Sequence, residues 1–376
     1  KSLSTSSTSR YQREGSTHSF FPPSKQRMIP LSLLVVVCVA LLVSLANSYP
    51  ADLTITSPVE FPVIASFALP SITYGSSNIL FGTSVADAGD INDDGTVDFA
   101  FSAPFATPPG SPSLSAAGVV FLIWGKPSSS SLKWSSSIIS SLPNISIGVI
   151  ITGSASGQSL GMVVSGGCDL NNDGVDDLIL GGSRVVHVVF GHHQWMVGTI
   201  STANLISTAN AFKIIHGGSL SSGWSGYFGY QSAQCVGDYN GDGFNDILIG
   251  DHQAGRAFIT YGKSSWPAVV NVSSSSFHGV IFTSSPIGSF LGFSIGNVDL
   301  NVDGRADLVI GAYSATQWNQ GYVHVIWGGQ SLPSILSLPV NSTGQGCFFK
   351  GTSPSARLGC SMTTAGDING DNNNDL

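Results

Sequence analysis

The chain has 376 residues, of which 42% are hydrophobic and only 10% are charged, and its formal net charge is −8. An acidic chain without a cluster of Lys and Arg does not favour nucleic-acid binding. With 45 glycines and many β-branched residues, this composition favours an all-β extracellular protein over a helical cytosolic one. The length accommodates two average domains or one large architecture.

The N-terminal region predicts a secretory route. Residues 1–27 are Ser-rich and begin with Lys rather than Met, so we expect them to be untranslated or disordered. Residues 28–48 have the features of a signal peptide: basic residues precede an apolar run at 31–45, and Ala46-Asn47-Ser48 places small residues before a cleavage site at Tyr49. A signal anchor is the alternative, because the run approaches the roughly 18 residues that span a membrane.

Sequons and cysteines agree with an oxidising, secretory compartment. Three tripeptides of the N-x-S/T type predict glycosylation at Asn144, Asn271 and Asn341. Four cysteines follow the leader, and an even number is typical of disulfide-bonded secreted chains.

Two cysteine pairs are candidates for disulfides. Cys347 and Cys360 are close enough in sequence to pair across one turn, so they form a possible disulfide. Cys168 and Cys235 occupy similar places in successive repeats, and we expect them to be free buried thiols.

A unit repeated five times dominates the rest of the chain. Each copy begins with an aromatic residue or Leu followed by Gly, near residues 81, 160, 228, 291 and 358. An acidic window follows, then an apolar run, an alternating strand ending in Gly, a Ser/Pro-rich connection and one more short strand. Seventeen of the 22 acidic residues fall in five nine-residue windows. Four short strands per repeat predict one blade of a β-propeller.

These motifs resemble the FG-GAP repeat of integrin α-subunit propellers and related secreted proteins. The resemblance rests on the FG pair, the pattern D-x-N-x-D-G-x-x-D and the small-residue turn at 102–104, and it covers roughly residues 66–376. It implies an all-β propeller domain at 49–376, with four-stranded blades and seven blades when complete. Four complete blades and part of a fifth are expected here.

The resemblance also assigns the segment before the first repeat. Residues 66–75 match the fourth-strand pattern, and in the family such a segment closes the last blade. An arc of blades would leave a strand edge unpaired, so we expect the chain to be a fragment truncated at its C-terminal side.

The acidic windows have the ligand chemistry of a calcium loop. Side-chain oxygens at positions 1, 3, 5 and 9 and the carbonyl of position 7 can surround one hard cation, and Gly at position 6 permits the turn. No window contains the Glu that completes an EF-hand, and strands flank all five. The alternative is that Asp, Asn and Gly are only turn residues.

Up to five Ca²⁺ ions are therefore predicted, one in each window. The predicted ligands are Asp90, Asn92, Asp94, Thr96 and Asp98; Asp169, Asn171, Asp173, Val175 and Asp177; Asp238, Asn240, Asp242, Phe244 and Asp246; Asp299, Asn301, Asp303, Arg305 and Asp307; and Asp367, Asn369, Asp371, Asn373 and Asp375. The fifth window has Asn372 in place of Gly, which weakens that site.

The alternation of strands predicts two different faces. The acidic windows join strands 1 and 2, and the sequons lie between strands 3 and 4, so metal and glycan share one face. The opposite face is left for a ligand, with candidate loops at 107–115, 217–227, 316–320 and 352–357. Candidate anchors are Trp224, Tyr227, Tyr313 and Trp318, although each can equally serve to pack the blades.

No catalytic pattern is present, and we expect the chain not to be an enzyme. Glu14 and Glu60 are the only glutamates, which excludes an HExxH zinc site, and no GxSxG occurs. Gly262-Lys263-Ser264 lacks the first Gly of a phosphate loop, because Ala257 stands there.

The sequence thus predicts a secreted or cell-surface calcium-binding propeller, integrin-α-like, that recognises extracellular protein or glycan in cell adhesion. The resemblance also implies a β-type partner subunit. A membrane would be reached only through a downstream segment. One alternative is a propeller module of a larger extracellular enzyme, resembling phospholipase D, with its catalytic domain outside this sequence. Another is a structural matrix protein.

Overall fold

The computed structural model describes residues 79–126, 147–195, 198–217, 227–284, 289–315, 319–340, 344–371 and 374–376. The predicted leader, the signal peptide, the closing strand at 66–75 and the sequons at Asn144 and Asn341 lie outside these residues. The predictions for those segments therefore remain predictions.

Four successive repeats each fold into an antiparallel sheet of four strands. Blade 1 contains β1 (Val85–Gly89), β2 (Asp98–Ala103), β3 (Val119–Ile123) and β4 (Gly148–Thr152). Blade 2 contains β5 (Val163–Cys168), β6 (Asp177–Gly182), β7 (Val185–Val189) and β9 (Ala211–Ile215). Blade 3 contains β10 (Ala233–Cys235), β11 (Ile247–Asp251), β12 (Arg256–Thr260) and β14 (Gly279–Ser284). Blade 4 contains β15 (Leu291–Val298), β16 (Asp307–Ala312), β17 (Tyr322–Ile326) and β19 (Gly346–Lys350).

The strand order within each blade follows the chain, from an inner first strand to an outer fourth strand. The inner strands of neighbouring blades lie beside one another: β1 contacts β5, β5 contacts β10, and β10 contacts β15. The chain is therefore nearly all β and built from four-stranded propeller blades, which confirms the predicted fold class.

Three blades carry a fifth strand that the sequence did not reveal. Short strands β8 (Thr199–Ser201), β13 (Val269–Asn271) and β18 (Ile335–Leu338) lie in the connection between the third and fourth strands of blades 2, 3 and 4. Each pairs in parallel with the outer strand of the preceding blade, namely β4, β9 and β14. Helix α1 (Thr202–Ser207) follows β8 and is capped by the Ser201 hydroxyl.

The hydrophobic core lies between blades. One cluster joins residues of blades 1 and 2, such as Leu122 and Leu178, and a second joins blades 3 and 4, such as Ile259 and Ile310. A third cluster joins blades 2 and 3 and includes Phe212 and Phe258. Because both faces of an inner blade are covered, its strands contain continuous apolar runs; all five residues of β11 are buried.

The paired glycines of the repeat are points where blades touch. The Gly one residue before the end of the second strand lies against the FG glycine of the next repeat in blades 3 and 4. A Cβ on Gly250 would approach the Gly292 carbonyl oxygen to 1.9 Å, and a Cβ on Gly311 would approach the Gly359 oxygen to 2.2 Å. Only glycine permits this spacing, so the FG and GAP-like motifs follow from the contact between blades.

The disulfide prediction was wrong. Cys168 and Cys235 form a disulfide with a Cα–Cα distance of 6.4 Å, whereas Cys347 and Cys360 are free. Cys168 and Cys235 end the adjacent inner strands β5 and β10, so their equivalent positions bring them together. Cys347 instead lies on the outer strand β19, while Cys360 lines a cavity of about 420 Å³ beside the inner strands.

The fifth repeat begins beside blade 4. Gly321 bridges to Leu358, and Gly366 bridges to Asp375 across the fifth acidic window. Within the described ranges, no helix is both long enough and apolar enough to cross a membrane.

Candidate functional site

The first four acidic windows form the connection between an inner strand and the strand after it, and the fifth is bracketed by the bridge between Gly366 and Asp375. We call them acidic loops 1 to 5, at residues 90–98, 169–177, 238–246, 299–307 and 367–375, and number their positions 1 to 9. The second strand of blades 1, 2 and 4 begins at position 9, and that of blade 3 begins one residue later. The loops therefore lie at the same end of every blade, as predicted.

Each loop is organised by its own side chains. In loop 1 the Asp90 carboxylate accepts the N–H groups of Asp94 and Gly95, at 2.9 and 2.8 Å. The Asn92 amide accepts the Asp94 N–H and donates to its carboxylate. The same bonds recur in loops 2, 3 and 4. A carboxylate oxygen that accepts one such bond keeps a second lone pair.

Position 7 completes the turn through its backbone. The Asp94 carboxylate accepts the Thr96 N–H at 2.9 Å, and the equivalent bonds hold Val175, Phe244 and Arg305. In loop 5, Asp367 and Asn369 make the same contacts with the Asp371 N–H. Asn372 and the predicted ligand Asn373 lie outside the described residues.

Position 9 supplies a buried carboxylate in each of the first four loops. Asp98, Asp177, Asp246 and Asp307 are all 0% exposed. One oxygen of each accepts the N–H of the Gly that lies two residues after the third strand, at 2.7 to 3.0 Å. In loops 2 to 4 the other oxygen accepts the N–H of position 2, whereas Oδ2 of Asp98 has no hydrogen-bond partner.

These buried carboxylates are electrostatically costly without a cation. Burial, together with the charges of Asp94 and Asp90, raises the pKa of Asp98 to about 7. Burial also raises the pKa of Asp177 to about 8 and that of Asp246 to about 7, and it raises the pKa of Asp307. Each loop thus crowds negative charge around a carboxylate that water does not reach.

The loops hold no group of three His, Cys or acidic side chains arranged for a metal ion, and the same is true across the described parts of the chain. In each loop the carboxylates of positions 1 and 5 are turned toward amides of the loop, and one of the four predicted side-chain ligands is an Asn. In loop 1 these contacts form the backbone turn of the loop itself.

Glycine at position 6 has the predicted conformation. Gly95, Gly174, Gly243 and Gly304 have φ between 84° and 91°, where a Cβ is disfavoured. The backbone at position 4 is also in the left-handed region. In loop 4 this position is the β-branched Val302, with φ 59°.

At the opposite end of blades 3 and 4, aromatic side chains form a patch. We define the aromatic patch by Tyr227, Tyr230, His252, Phe290, Phe293 and Tyr313. The rings of Tyr227 and His252 are 5.1 Å apart, as are those of His252 and Phe293, and Tyr313 lies 4.7 Å from Phe293. These separations are those of favourable aromatic pairs.

The patch combines an exposed rim with a buried centre. Tyr227 is 37% exposed, whereas His252 is 5% exposed and its Nδ1 has no hydrogen-bond partner. Burial lowers the pKa of His252 to about 4, so the ring is neutral at physiological pH.

The predicted recognition residues have mixed outcomes. Tyr227 and Tyr313 belong to the aromatic patch, while Trp224 and Trp318 lie outside the described residues. The predicted loops at 107–115 and 352–357 connect strands at the same end as the patch. His252, at the centre of the patch, was missed, although it stands where the equivalent turn of blade 4 has Tyr313.

One predicted glycosylation site can be located. Asn271 ends β13, and its Oδ1 accepts the N–H groups of Gly217 and Ser273, both at 3.0 Å. The side chain therefore supports the turn around the parallel strand, and glycosylation there remains a prediction.

Comparison with known proteins gives the same description. The FG-GAP repeat model matches residues 232–261 and 291–326, which contain the first three strands of blade 3 and of blade 4. The chain contains FG-GAP repeats, and it resembles integrin α-subunits.

The relatives are much longer than the matched region. Integrin alpha-5 of Xenopus laevis is 32% identical over 161 residues, which cover 39% of this chain and 14% of that protein. Integrin alpha-PS2 of Drosophila melanogaster is 32% identical, over 40% of this chain and 10% of that protein. Phosphatidylinositol-glycan-specific phospholipase D of Homo sapiens is 30% identical, over 46% of this chain and 21% of that protein.

Proposed function

We propose that the chain is a calcium-binding propeller module of a secreted or cell-surface protein, and that it recognises an extracellular protein or glycan in adhesion. Similarity to integrin α-subunits supports the extracellular, adhesion-type role. A β-type partner subunit belongs to the same proposal.

The observation that carries the calcium proposal is the buried carboxylate at position 9. Four such carboxylates are completely buried, and Oδ2 of Asp98 has no partner. A buried, unpaired carboxylate is unfavourable unless a cation compensates it. The predicted ligand atoms are all oxygens, and this donor set suits Ca²⁺.

The residues that would hold the ion are the side chains of positions 1, 3, 5 and 9 and the carbonyl of position 7. A bound calcium ion supplies positive charge to these oxygens. The backbone amides of positions 5, 6 and 7 keep the carboxylates of positions 1 and 5 in place. The chain's own contribution is therefore a turn that is formed before the ion arrives.

The calcium proposal is tested by two neighbouring residues of loop 1. Asp94 is a predicted ligand, while Asp93 is not, and the Asp93 carboxylate lies 2.9 Å from Nδ1 of His193. Calorimetric titration of the calcium-free protein should show that Asp94→Asn removes one ion or weakens one site at least about ten-fold. Asp93→Asn, which removes the same charge, should keep the ion count. Equal losses in both variants would contradict the assignment of ligands.

The aromatic patch is the proposed contact surface. Aromatic side chains that are partly exposed at a rim and anchored in a buried cluster are typical of energetically important contacts. Tyr227 has this character, because it is exposed and packs edge-on against the buried His252.

Arrays of purified extracellular-matrix proteins and of glycans provide the probes for recognition. The wild-type chain should bind at least one probe in millimolar calcium, and Tyr227→Ala should weaken this binding about ten-fold or more. Phe348→Ala removes a comparably exposed ring from the outer strand β19 and should bind like the wild type. Unchanged binding by Tyr227→Ala would exclude the patch.

The second candidate function is a propeller module within an extracellular enzyme. Similarity to a phosphatidylinositol-glycan-specific phospholipase D favours it. The transcript beyond Leu376 and an assay for release of glycan-anchored protein by its full-length product distinguish the two candidates. Release activity would support the enzyme, and a full-length product that binds the arrays without release would support adhesion.

A further inference from the structure

We propose that the acidic loops bind calcium as a coupled row, and that Asp176 and Asn245 are the positioning residues that join neighbouring loops. The inference rests on the proposed calcium function. It concerns position 8, which is not a predicted ligand in any loop.

The first link joins loops 1 and 2. Asp176, at position 8 of loop 2, accepts the backbone N–H of Asp90 through its Oδ2 at 2.8 Å. Asp90 is position 1 of loop 1, and its carboxylate is a predicted ligand. A Cβ on the preceding Gly89 would lie 2.2 Å from the same Asp176 oxygen, so the Asp176 carboxylate lies directly against the start of loop 1.

The second link joins the same positions of loops 2 and 3, but here the side chain at position 8 is the hydrogen-bond donor and the backbone is the acceptor. Asn245, at position 8 of loop 3, donates from its Nδ2 to the backbone carbonyl of Asp169 at 2.8 Å. Asp169 is position 1 of loop 2. In both pairs a side chain of the later loop holds the backbone of the first ligand of the earlier loop.

A backbone connection accompanies these side-chain links. At the end of β7, the Gly191 N–H donates to the Asp177 carboxylate of loop 2, and the next N–H, of His192, donates to the Ile91 carbonyl of loop 1; both distances are 3.0 Å.

Blade 4 repeats this arrangement. The Gly328 N–H donates to Asp307 at 2.8 Å, and the Gly329 N–H donates to the Tyr239 carbonyl of loop 3 at 2.7 Å. Two consecutive amides thus join position 9 of one loop to position 2 of the loop before it.

Coupling follows from these contacts. An ion that fixes loop 2 through Asp173 and Asp177 also fixes Asp176, which lies between them. Asp176 then holds the backbone of Asp90 in the position that its carboxylate needs. Occupation of one loop therefore favours occupation of its neighbour, and by linkage the effect is reciprocal.

The test is a calcium titration of the calcium-free chain. For the wild type, the slope of the binding curve (bound calcium against free calcium) should be steeper than that of independent sites. Asp176→Ala should keep the number of ions, reduce the slope and weaken one ion about ten-fold, because a hydrogen bond to a charged group is lost.

Two variants separate the link from its charge. Asp176→Asn removes the charge but keeps an oxygen that can accept the Asp90 N–H, so it should retain most of the slope. Asp93→Asn removes one charge from the same surface without touching Asp176 or Asn245, and its calcium titration should match that of the wild type. Asn245→Ala changes no charge, tests the second link independently and should also reduce the slope.

The outcomes distinguish this inference from the function on which it rests. Unchanged slopes and affinities in Asp176→Ala and Asn245→Ala, with normal ion counts, would overturn the coupling and leave the calcium sites intact. Equal losses in Asp176→Asn and Asp176→Ala would also overturn it, because charge alone would then explain the effect. A wild-type chain that takes up no calcium would overturn both proposals.

Discussion

The two ends of the blades differ in how strictly they repeat. At the acidic-loop end, every inner strand is followed by the same nine-residue pattern, and the same hydrogen bonds recur. At the opposite end, the connection between the second and third strands runs from residue 104 to 118 in blade 1 but comprises only residues 183–184 in blade 2.

The difference shows which contacts constrain the sequence. The side chains at positions 1, 3, 5 and 9 of an acidic loop each hydrogen-bond to backbone groups that shape the loop, so the same residue types recur at these positions. At the opposite end only the glycine contacts between blades are shared, and the rest of each connection can vary. The first end therefore stabilises the row of blades, and the second end can acquire a specific surface.

The largest expected effect is removal of calcium, which acts on the acidic-loop end alone. Each occupied site contributes about 2.7 kcal/mol when free calcium is about 100-fold above its dissociation constant. With up to five sites, EDTA should lower the melting temperature by more than about 10 °C. Differential scanning calorimetry measures this, and magnesium should restore little because it retains its waters. Coincident melts in calcium and in EDTA would contradict a structural role for calcium.

Loss of the Cys168–Cys235 disulfide should have the next largest effect. The bond closes a sequence separation of 67 residues, and Cys168 immediately precedes the first ligand of loop 2. Replacing both cysteines with Ser should lower the free energy of unfolding by about 2–4 kcal/mol, measured by urea denaturation. Cys360→Ser, at an exposed free thiol, serves as the control and should leave stability unchanged. A similar loss in the control would argue against the bond.

The opposite end should respond to protons. The pKa of His252 in the folded chain is about 4, below the ordinary 6.5. Its contribution to stability is therefore present above pH 6.5 and is lost as the pH falls toward 4, by about 3 kcal/mol. Urea midpoints between pH 7 and 4 should show a shallower decline in His252→Phe, which keeps an aromatic ring. The control His278→Phe replaces an exposed ring, and its urea midpoint should decline with pH as in the wild type.

The smallest effect distinguishes one acidic loop from its neighbours. Val302 has φ 59°, a conformation that costs a β-branched residue about 1 kcal/mol. The equivalent position in loop 2 is Asn172, with φ 58°, so Val302→Asn should stabilise the chain by about 1 kcal/mol in urea denaturation. Val97→Asn, at an exposed residue without positive φ, should not stabilise it. Destabilisation by Val302→Asn would show that the valine side chain makes a needed contact.

The sequence predicted the blades well because their signals are local. Alternating apolar residues and terminal glycines located the strands, and the fixed spacing of the acids located the loops. The fifth strands were not predicted, because β8, β13 and β18 are short and their partners belong to the preceding blade. Their segments contain Ser, Thr and Asn and resemble ordinary connections.

Contacts distant in sequence explain the remaining errors. Cys347 and Cys360 were paired by nearness along the chain, but Cys347 lies on the outer strand β19 and Cys360 lies beside the inner strands. Position 8 of the acidic loops varies among Val97, Asp176, Asn245, Ala306 and Asn374, so it has no consistent residue type that would reveal its role. Only the arrangement of neighbouring loops shows that Asp176 and Asn245 act alike.

The parallel pairing between blades depends on the order in which the strands are synthesised. The outer edge of β4 obtains its partner β8 only after β5, β6 and β7 of the next blade have left the ribosome. The same delay applies to β9 with β13 and to β14 with β18. The outer strand of a newly made blade therefore stays unpaired until the next blade is synthesised. A pause in translation between blades would prolong the exposure of this strand edge to other chains.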